Sequence, residues 1–199
     1  MLRIKQIVNK IFTSNTYVIS EGISNIYWLV DIGDFDKVID FLPNNANIKG
    51  VFLTHSHFDH IYGMNELYER FPKCIVYTST YGAKAICSEK MNFSFYHENP
   101  FIFEGKNIKV LKEKDIIELF EGCWMRVFET PGHCPSCLTY ILDNYIFTGD
   151  SYIPDVAVVS KLPKGNKELA SNSRERIIQL AKGLIICPGH GPIVTENRK

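Results

Sequence analysis

Apolar residues come in short runs along this chain, and the period of the runs switches between that of a strand and that of a helix. Residues 15–20 and 26–31 are rich in β-branched and aromatic side chains, with a Glu21-Gly22 turn signal between them. Phe35–Leu42 predicts a short helix stopped by Pro43. Lys49–Leu53 is a short apolar strand that ends where a histidine begins. Ile61, Met64, Leu67, Tyr68 and Phe71 share one face of a predicted helix over 61–71, and Pro72 ends it. A strand over Cys74–Thr78 and a helix near Tyr81–Ser88 follow. The second half predicts strands at Ile108–Leu111, Ile116–Leu119, Trp124–Phe128, Leu138–Leu142 and Tyr145–Phe147, with Asp143-Asn144 as a hairpin turn. Asn172 with Glu175 three residues on predicts a capped helix start. That helix runs through Ile177, Ile178, Leu180 and Ala181, and Gly183 fits its end. Leu184–Cys187 is a last strand. Strands thus cluster in two halves with helices in each, which predicts the α/β class and two sheets with helices outside, an αββα sandwich.

The length of 199 residues suits one compact domain, expected to occupy residues 1–199. Hydrophobic residues at 45% and aromatics at 13% exclude a disordered chain. Lys plus Arg equals Asp plus Glu at 22 each, so no nucleic-acid partner is expected. The start, Met1-Leu2-Arg3-Ile4-Lys5, leads into no long apolar run, and nothing approaches the roughly 20 residues of a membrane helix. A cytoplasmic protein with no membrane partner is expected; the sequence carries no signal for oligomeric state. The scattered cysteines 74, 87, 123, 134, 137 and 187 are expected to be reduced thiols.

Polar residues at the strand ends change the picture. Thr54-His55-Ser56-His57-Phe58-Asp59-His60 places His55, His57, Asp59 and His60 within six consecutive residues. His133 ends Thr130-Pro131-Gly132-His133, Asp150 ends Phe147-Thr148-Gly149-Asp150, and His190 follows Cys187-Pro188-Gly189. Each comes just after a predicted strand, where loops can converge on one edge of a sandwich. Imidazole and carboxylate donors suit zinc, iron or manganese without any thiolate. His55 and His57, two apart on an extended segment, can point to one side. Asp59 and His60 lie one turn further and can face a second ion, and Asp150 has two oxygens with which to bridge. A lone histidine is usually a satisfied buried side chain, but a His-x-His-x-Asp-His run with three further sites is not accounted for in that way. The seven residues predict two divalent metal ions side by side, zinc first, with iron or manganese as alternatives.

This pattern resembles that of the metallo-β-lactamase superfamily, and within it the glyoxalase II-like hydrolases, over nearly the whole chain. The resemblance implies the metallo-β-lactamase fold, a four-layer αββα sandwich of two mixed β-sheets flanked by helices. It implies that His55, His57 and His133 bind one ion, that Asp59, His60 and His190 bind the other, and that Asp150 bridges them. β-Lactamases differ at the positions of His60 and Asp150, so antibiotic hydrolysis is not expected. Glyoxalase II proper carries a C-terminal helical region that helps bind glutathione. The chain ends soon after His190, so no strict dependence on glutathione is expected. Cys134-Pro135-Ser136-Cys137 stands where relatives often have a Pro-Gly-Ser turn.

Two ions roughly 3.5–4 Å apart lower the pKa of a shared water toward about 7. The expected reaction is attack of that hydroxide on a small-molecule thioester or ester, with Asp59 as the catalytic residue that also orients the water. A thiolate leaves with little help, whereas an amide nitrogen needs a proton donor. Tyr152 can supply a phenol to substrate, or simply pack. Rival readings are a persulfide dioxygenase with one iron on His55, His133 and Asp150, a lactonase or phosphodiester hydrolase, and a non-catalytic binding module. The intact ligand set speaks against the last. Residues 89–104 carry Phe93, Phe95, Tyr96, His97, Phe101 and Phe103, and read equally as an aromatic flap over the site or as core. Cys134 and Cys137 are spaced as a redox pair but lack a thioredoxin-like context. Lys161, Lys164 and Lys167 read as solvated surface.

Overall fold

Alternate residues of a strand face opposite ways, so a strand buried on both faces must be apolar at every position. Ile26–Val30 is of that kind throughout, and Leu138–Leu142 is apart from one threonine. The computed structural model describes residues 1–195. One sheet has the order β1 (Leu2–Val8), β2 (Asn15–Glu21), β3 (Ile26–Val30), β4 (Asn47–Phe52), β5 (Ile75–Ser79), β6 (Ile108–Leu111). Its first three strands are antiparallel, and β3 to β6 are parallel. The other sheet holds β7 (Ile116–Phe120), β8 (Cys123–Glu129), β9 (Leu138–Leu142), β10 (Tyr145–Gly149) and β11 (Ile185–Pro188), in the order β11-β10-β9-β8-β7. Only its β10–β11 pair is parallel. Both sheets are therefore mixed.

Tyr17, Ile19, Trp28, Val30 and Phe52 of the first sheet meet Met125, Val127, Tyr140, Leu142 and Phe147 of the second. Val18, Leu29, Val51 and Leu53 point the other way, beneath α1 (Phe35–Phe41) and α2 (Met64–Arg70). On the far side, Ile141, Ile146 and Ile186 pack under Ile177 and Ala181 at the C-terminal end of α4 (Lys167–Leu180). A further short helix, α3 (Thr80–Ala85), follows β5. Two cross-sheet hydrogen bonds fix the register of the sandwich. Trp28 Nε1 donates to the Leu119 carbonyl at 3.1 Å, and the Tyr140 hydroxyl to that of Leu53 at 2.6 Å. The result is the four-layer αββα sandwich that the pattern predicts.

Most element bounds shift by one to three residues from the sequence reading, and three departures have a clear physical reason. Strand β1 was not expected; its residues alternate between half-buried and exposed, as befits an edge strand with Arg3 and Lys5 on the open face. Helix α2 begins at Met64 because residues Phe58–His60 form a separate 3-10 turn. Helix α4 begins at Lys167, and its cap is Asn166, whose side chain accepts from the Leu169 N–H at 3.0 Å. Asn172 lies inside the helix and is exposed. The first turns of α4 bury little beyond Ala170, so they leave no apolar period to read.

The two asparagines give a direct test. Replacing a capping Asn by Ala costs about 1 kcal/mol, whereas an exposed mid-helix site changes stability by roughly 0.5 kcal/mol or less. Asn166→Ala should lower the urea midpoint accordingly and Asn172→Ala should not. The opposite order would place the helix start at Asn172.

Candidate metal centre

Seven side chains from four segments meet at one edge of the sandwich. His55, His57, Asp59 and His60 follow β4, His133 follows β8, Asp150 follows β10 and His190 follows β11. Two glycines make room for Asp150. Gly149 turns the chain with φ +49°, and a Cβ on Gly189 would lie 2.1 Å from Asp150 Oδ1. The 3-10 turn carries Asp59 and His60, and Ser14 Oγ donates to the Asp59 carbonyl at 2.6 Å.

The donor atoms fall into three overlapping groups: His55, His57 and His133; His55, His60 and Asp150; and Asp59, His60 and His190. Within each group they lie within 4.8 Å of one another. Around a tetrahedral ion with bonds of roughly 2.0–2.1 Å, neighbouring donors stand roughly 3.3 Å apart. In the third group His60 Nε2 lies 3.4 Å from Asp59 Oδ2 and 3.2 Å from His190 Nε2, and His190 Nε2 lies 3.3 Å from Asp59 Oδ2. Asp150 reaches both ends of the cluster. Its Oδ2 is 3.6 Å from His133 Nε2 and 3.5 Å from His190 Nε2, and its Oδ1 is 3.5 Å from His60 Nε2. His55 Nε2, His57 Nε2 and Asp150 Oδ1 are buried without a hydrogen-bond partner. Buried polar atoms are normally satisfied, so unpartnered His55 Nε2 and Asp150 Oδ1 in one donor group mark a place built for cations, and His57 turns its Nδ1 toward that place, 2.9 Å from His133 Nε2. The residues present fit divalent metal ions.

Most of the imidazoles are held from behind. His55 Nδ1 contacts Thr54 Oγ1 at 3.0 Å, His133 Nδ1 the Val159 carbonyl at 2.7 Å, and His190 Nδ1 the Phe12 carbonyl at 2.9 Å. His60 Nδ1 contacts Asp31 Oδ2 at 2.9 Å. An oxygen acceptor at Nδ1 keeps the proton there and leaves Nε2 free to bind a metal. Asp31 does more than hold His60. It accepts from the Thr54 N–H and the Thr54 hydroxyl, each at 2.7 Å, and so sets the threonine that holds His55. Asp31 was not among the residues read from the sequence. An aspartate closing an apolar strand, in Leu29-Val30-Asp31-Ile32, was the only signal for it.

The cluster is strongly charged. Burial, then the neighbouring imidazoles of His60 and His57, push the His55 imidazole well below its usual range. Burial also lowers His133. For Asp150 burial works upward, but His60 and His190 outweigh it and hold the carboxyl well below the usual range. Asp59 is likewise lowered, with His60 and His190 overcoming its burial. Burial lowers His60 and His190, yet the carboxylates around them win. His60 rises well above its usual range, and His190 is pushed up to about 9. Protons on these two rings thus occupy the electrostatic role that cations would take.

Other predicted residues are placed as follows. Tyr152 lines a separate groove with Lys161, Lys167 and Arg174, and its ring lies 5.7 Å from the Arg174 guanidinium. Lys164 is exposed. Cys134 and Cys137 are buried free thiols with sulfurs 3.4 Å apart, outside all three donor groups. The 89–104 segment divides. Phe101 and Phe103 pack on the core beneath α2, whereas Phe93, Tyr96 and His97 line the cavity over the donors. Phe93 lies 4.7 Å from the His57 ring, and His97 stacks on Phe58 at 4.5 Å.

Residues 11–190 match the model of the metallo-beta-lactamase superfamily. A hydroxyacylglutathione hydrolase from Edwardsiella ictaluri is 27% identical over 164 residues, which are 81% of this chain and 56% of that protein. The chain thus spans little more than half the length of that relative. A protein of Streptococcus pyogenes named a probable metallo-hydrolase is 26% identical over 205 residues, 98% of this chain and 86% of its own length. Among solved structures, the B3 metallo-beta-lactamase BLEG-1 superposes with a TM-score of 0.87 at 25% identity, covering 98% of this chain and 94% of that one. Among the described residues, no helix is long and apolar enough to cross a membrane.

The role of Asp31 can be measured apart from catalysis. Loss of such a supporting carboxylate typically weakens metal binding by about 10–100-fold. Asp31→Asn should show that loss in a chelator competition while retaining the far-ultraviolet circular dichroism of the parent. Unchanged affinity would reduce Asp31 to a packing residue.

Proposed function

Because the chain belongs to the metallo-beta-lactamase superfamily, we propose that it is a metal-dependent hydrolase of a small-molecule thioester or ester. The observation that carries this reading is the set of overlapping donor groups with unpartnered buried atoms between them. His55, His57 and His133 would hold one ion, Asp59, His60 and His190 the other, with Asp150 shared between them. Such a pair, when bound, supplies a hydroxide at neutral pH and polarises the scissile carbonyl.

The chain's own residues do the rest. Asp31, Thr54 and the carbonyls of Val159 and Phe12 keep the ligand imidazoles in one orientation and one tautomer. Asp59 lines the cavity as well as the cluster, so its carboxylate can orient the attacking water and take its proton. Zinc is the metal we favour, since none of the proposed steps requires a change of oxidation state. A thiolate or activated alkoxide suits the site best as leaving group. A thiol has a pKa of roughly 8.5, so its thiolate departs near neutral pH with little protonation. The phenol of Tyr152 lies in the separate groove and takes no part in this scheme.

Protein stripped of metal and reloaded with zinc should cleave simple acyl thioesters. Asp150→Ala should retain about one ion fewer and lose roughly 10²–10³-fold in kcat/KM. Iron-loaded protein that consumed a glutathione persulfide with oxygen uptake, and cleaved no thioester, would contradict the hydrolase reading in favour of a dioxygenase.

A further inference from the structure

The cavity above the donors has a volume of about 520 Å³, within the range of small-molecule sites. Its floor carries the carboxylates and imidazoles of the cluster. Its walls are Phe12, Phe58, Phe93, Tyr96, Val159 and Leu162, with His97 stacked on Phe58. Among the described residues, no lysine or arginine lines it. Of the cations that flank Leu162 and Pro163 in sequence, Lys161 opens instead onto the separate groove beyond Val159, and Lys164 is exposed to solvent and does not line the cavity.

The walls are delivered by segments that hold them firmly. Phe12 sits in the turn between β1 and β2 with φ +49°, and Phe93 opens a short 3-10 turn with φ +68°. Bulky residues rarely adopt that backbone, and it persists only where its surroundings enforce it. The enforcement is visible in both cases. The Phe12 carbonyl accepts from His190, and buried Asn92 and Ser94 bind the backbone of Phe101. Each strained residue puts an aromatic ring at the mouth. Much of this apolar surface meets water, with Phe12 62% and Tyr96 69% exposed. Exposed apolar rims of this kind mark a surface that a ligand covers.

We infer that this cavity takes an uncharged acyl chain of several carbons, so that the protein selects apolar acyl thioesters or esters over anionic ones. The inference rests on the hydrolase reading and names its substrate class. A carboxylate at the far end of the acyl chain would leave water for aromatic walls that, among the described residues, offer no lysine or arginine to pair it, and that is unfavourable. A methylene placed there leaves water for apolar surface, which strengthens binding by about fourfold per group.

The test uses thioesters of the uncharged thiol N-acetylcysteamine, with acetyl, butanoyl, pentanoyl and hexanoyl groups and the anionic succinyl group, on zinc-loaded protein. Ketones with CH2 in place of sulfur are not cleaved, so calorimetry on them reads the cavity alone. We expect kcat/KM for the thioesters, and affinity for the ketones, to rise about fourfold per methylene. Succinyl should fall at least tenfold below pentanoyl, which has similar length. Leu162→Ala and Phe93→Ala should each lower the hexanoyl-to-acetyl ratio by roughly tenfold. The ratio is internal to each variant, and Leu162 is exposed enough for the fold to survive its loss. Turnover and ketone binding that do not depend on chain length, or succinyl equal to pentanoyl, would overturn the inference while leaving a hydrolase. Ketones that tighten with length, with no thioester cleaved, would support the cavity and refute the hydrolase reading.

Discussion

The buried carboxylate of Asp31 joins the two halves of the donor cluster. It sits just beyond the end of β3 with φ +57° and accepts from the Thr54 N–H just beyond the end of β4. That bond fixes where the His55–His60 segment leaves the sheet. The other oxygen receives the Thr54 hydroxyl and lies beside His60 Nδ1. One side chain therefore orients a ligand candidate from the first group and one from the third. Burial raises its own pKa against the lowering by His60 and Thr54. A carboxyl held there is favourable only while those donors stay in place, so the hub and the cluster depend on each other.

The cluster would be costly in any other setting. Burying ionisable groups side by side disfavours their charged forms, unless opposite charge is supplied. Against the upward push of burial, the imidazoles of His60 and His190 hold the carboxyls of Asp59 and Asp150 below their usual range. Burial and the neighbouring imidazoles of His60 and His57 push His55 well below its usual range. Divalent cations meet both demands together. They pair the carboxylates and use the lone pairs of neutral imidazoles, and the unpartnered Nε2 of His55 and the Nδ1 that His57 turns toward His133 mark where they would sit. The sandwich makes this affordable by rigidity: the donors hang from strand ends of two sheets locked by Trp28 and Tyr140.

Much of this was legible in the sequence because the donors announce themselves by type and spacing. Four of them fall in one short run after an apolar strand, and the others follow strands with Gly or Pro beside them. The sheets were readable because strands such as β3 and β9, buried on both faces over most of their length, are apolar at nearly every position. What was not legible depends on tertiary contact. Asp31 is one acidic residue at a strand end and has meaning only beside Thr54 and His60. The start of α4 lies in a stretch that packs almost nothing, so the Asn172–Glu175 spacing drew the boundary away from Asn166. The aromatic segment was undecided because its rings serve two purposes, Phe101 and Phe103 in the core and Phe93 and Tyr96 at the mouth. Local sequence cannot divide such a run, since both halves are equally apolar.

The central claim is that one edge of this sandwich holds two cations shared through Asp150. Anomalous diffraction from a metal-loaded crystal, at the absorption edge of the bound metal, tests it without reference to any substrate. The account predicts two peaks roughly 3.5–4 Å apart, as in two-metal hydrolytic sites, with Asp150 in contact with both. A single peak at full loading, with Asp59 and His190 turned away from it, would contradict the account.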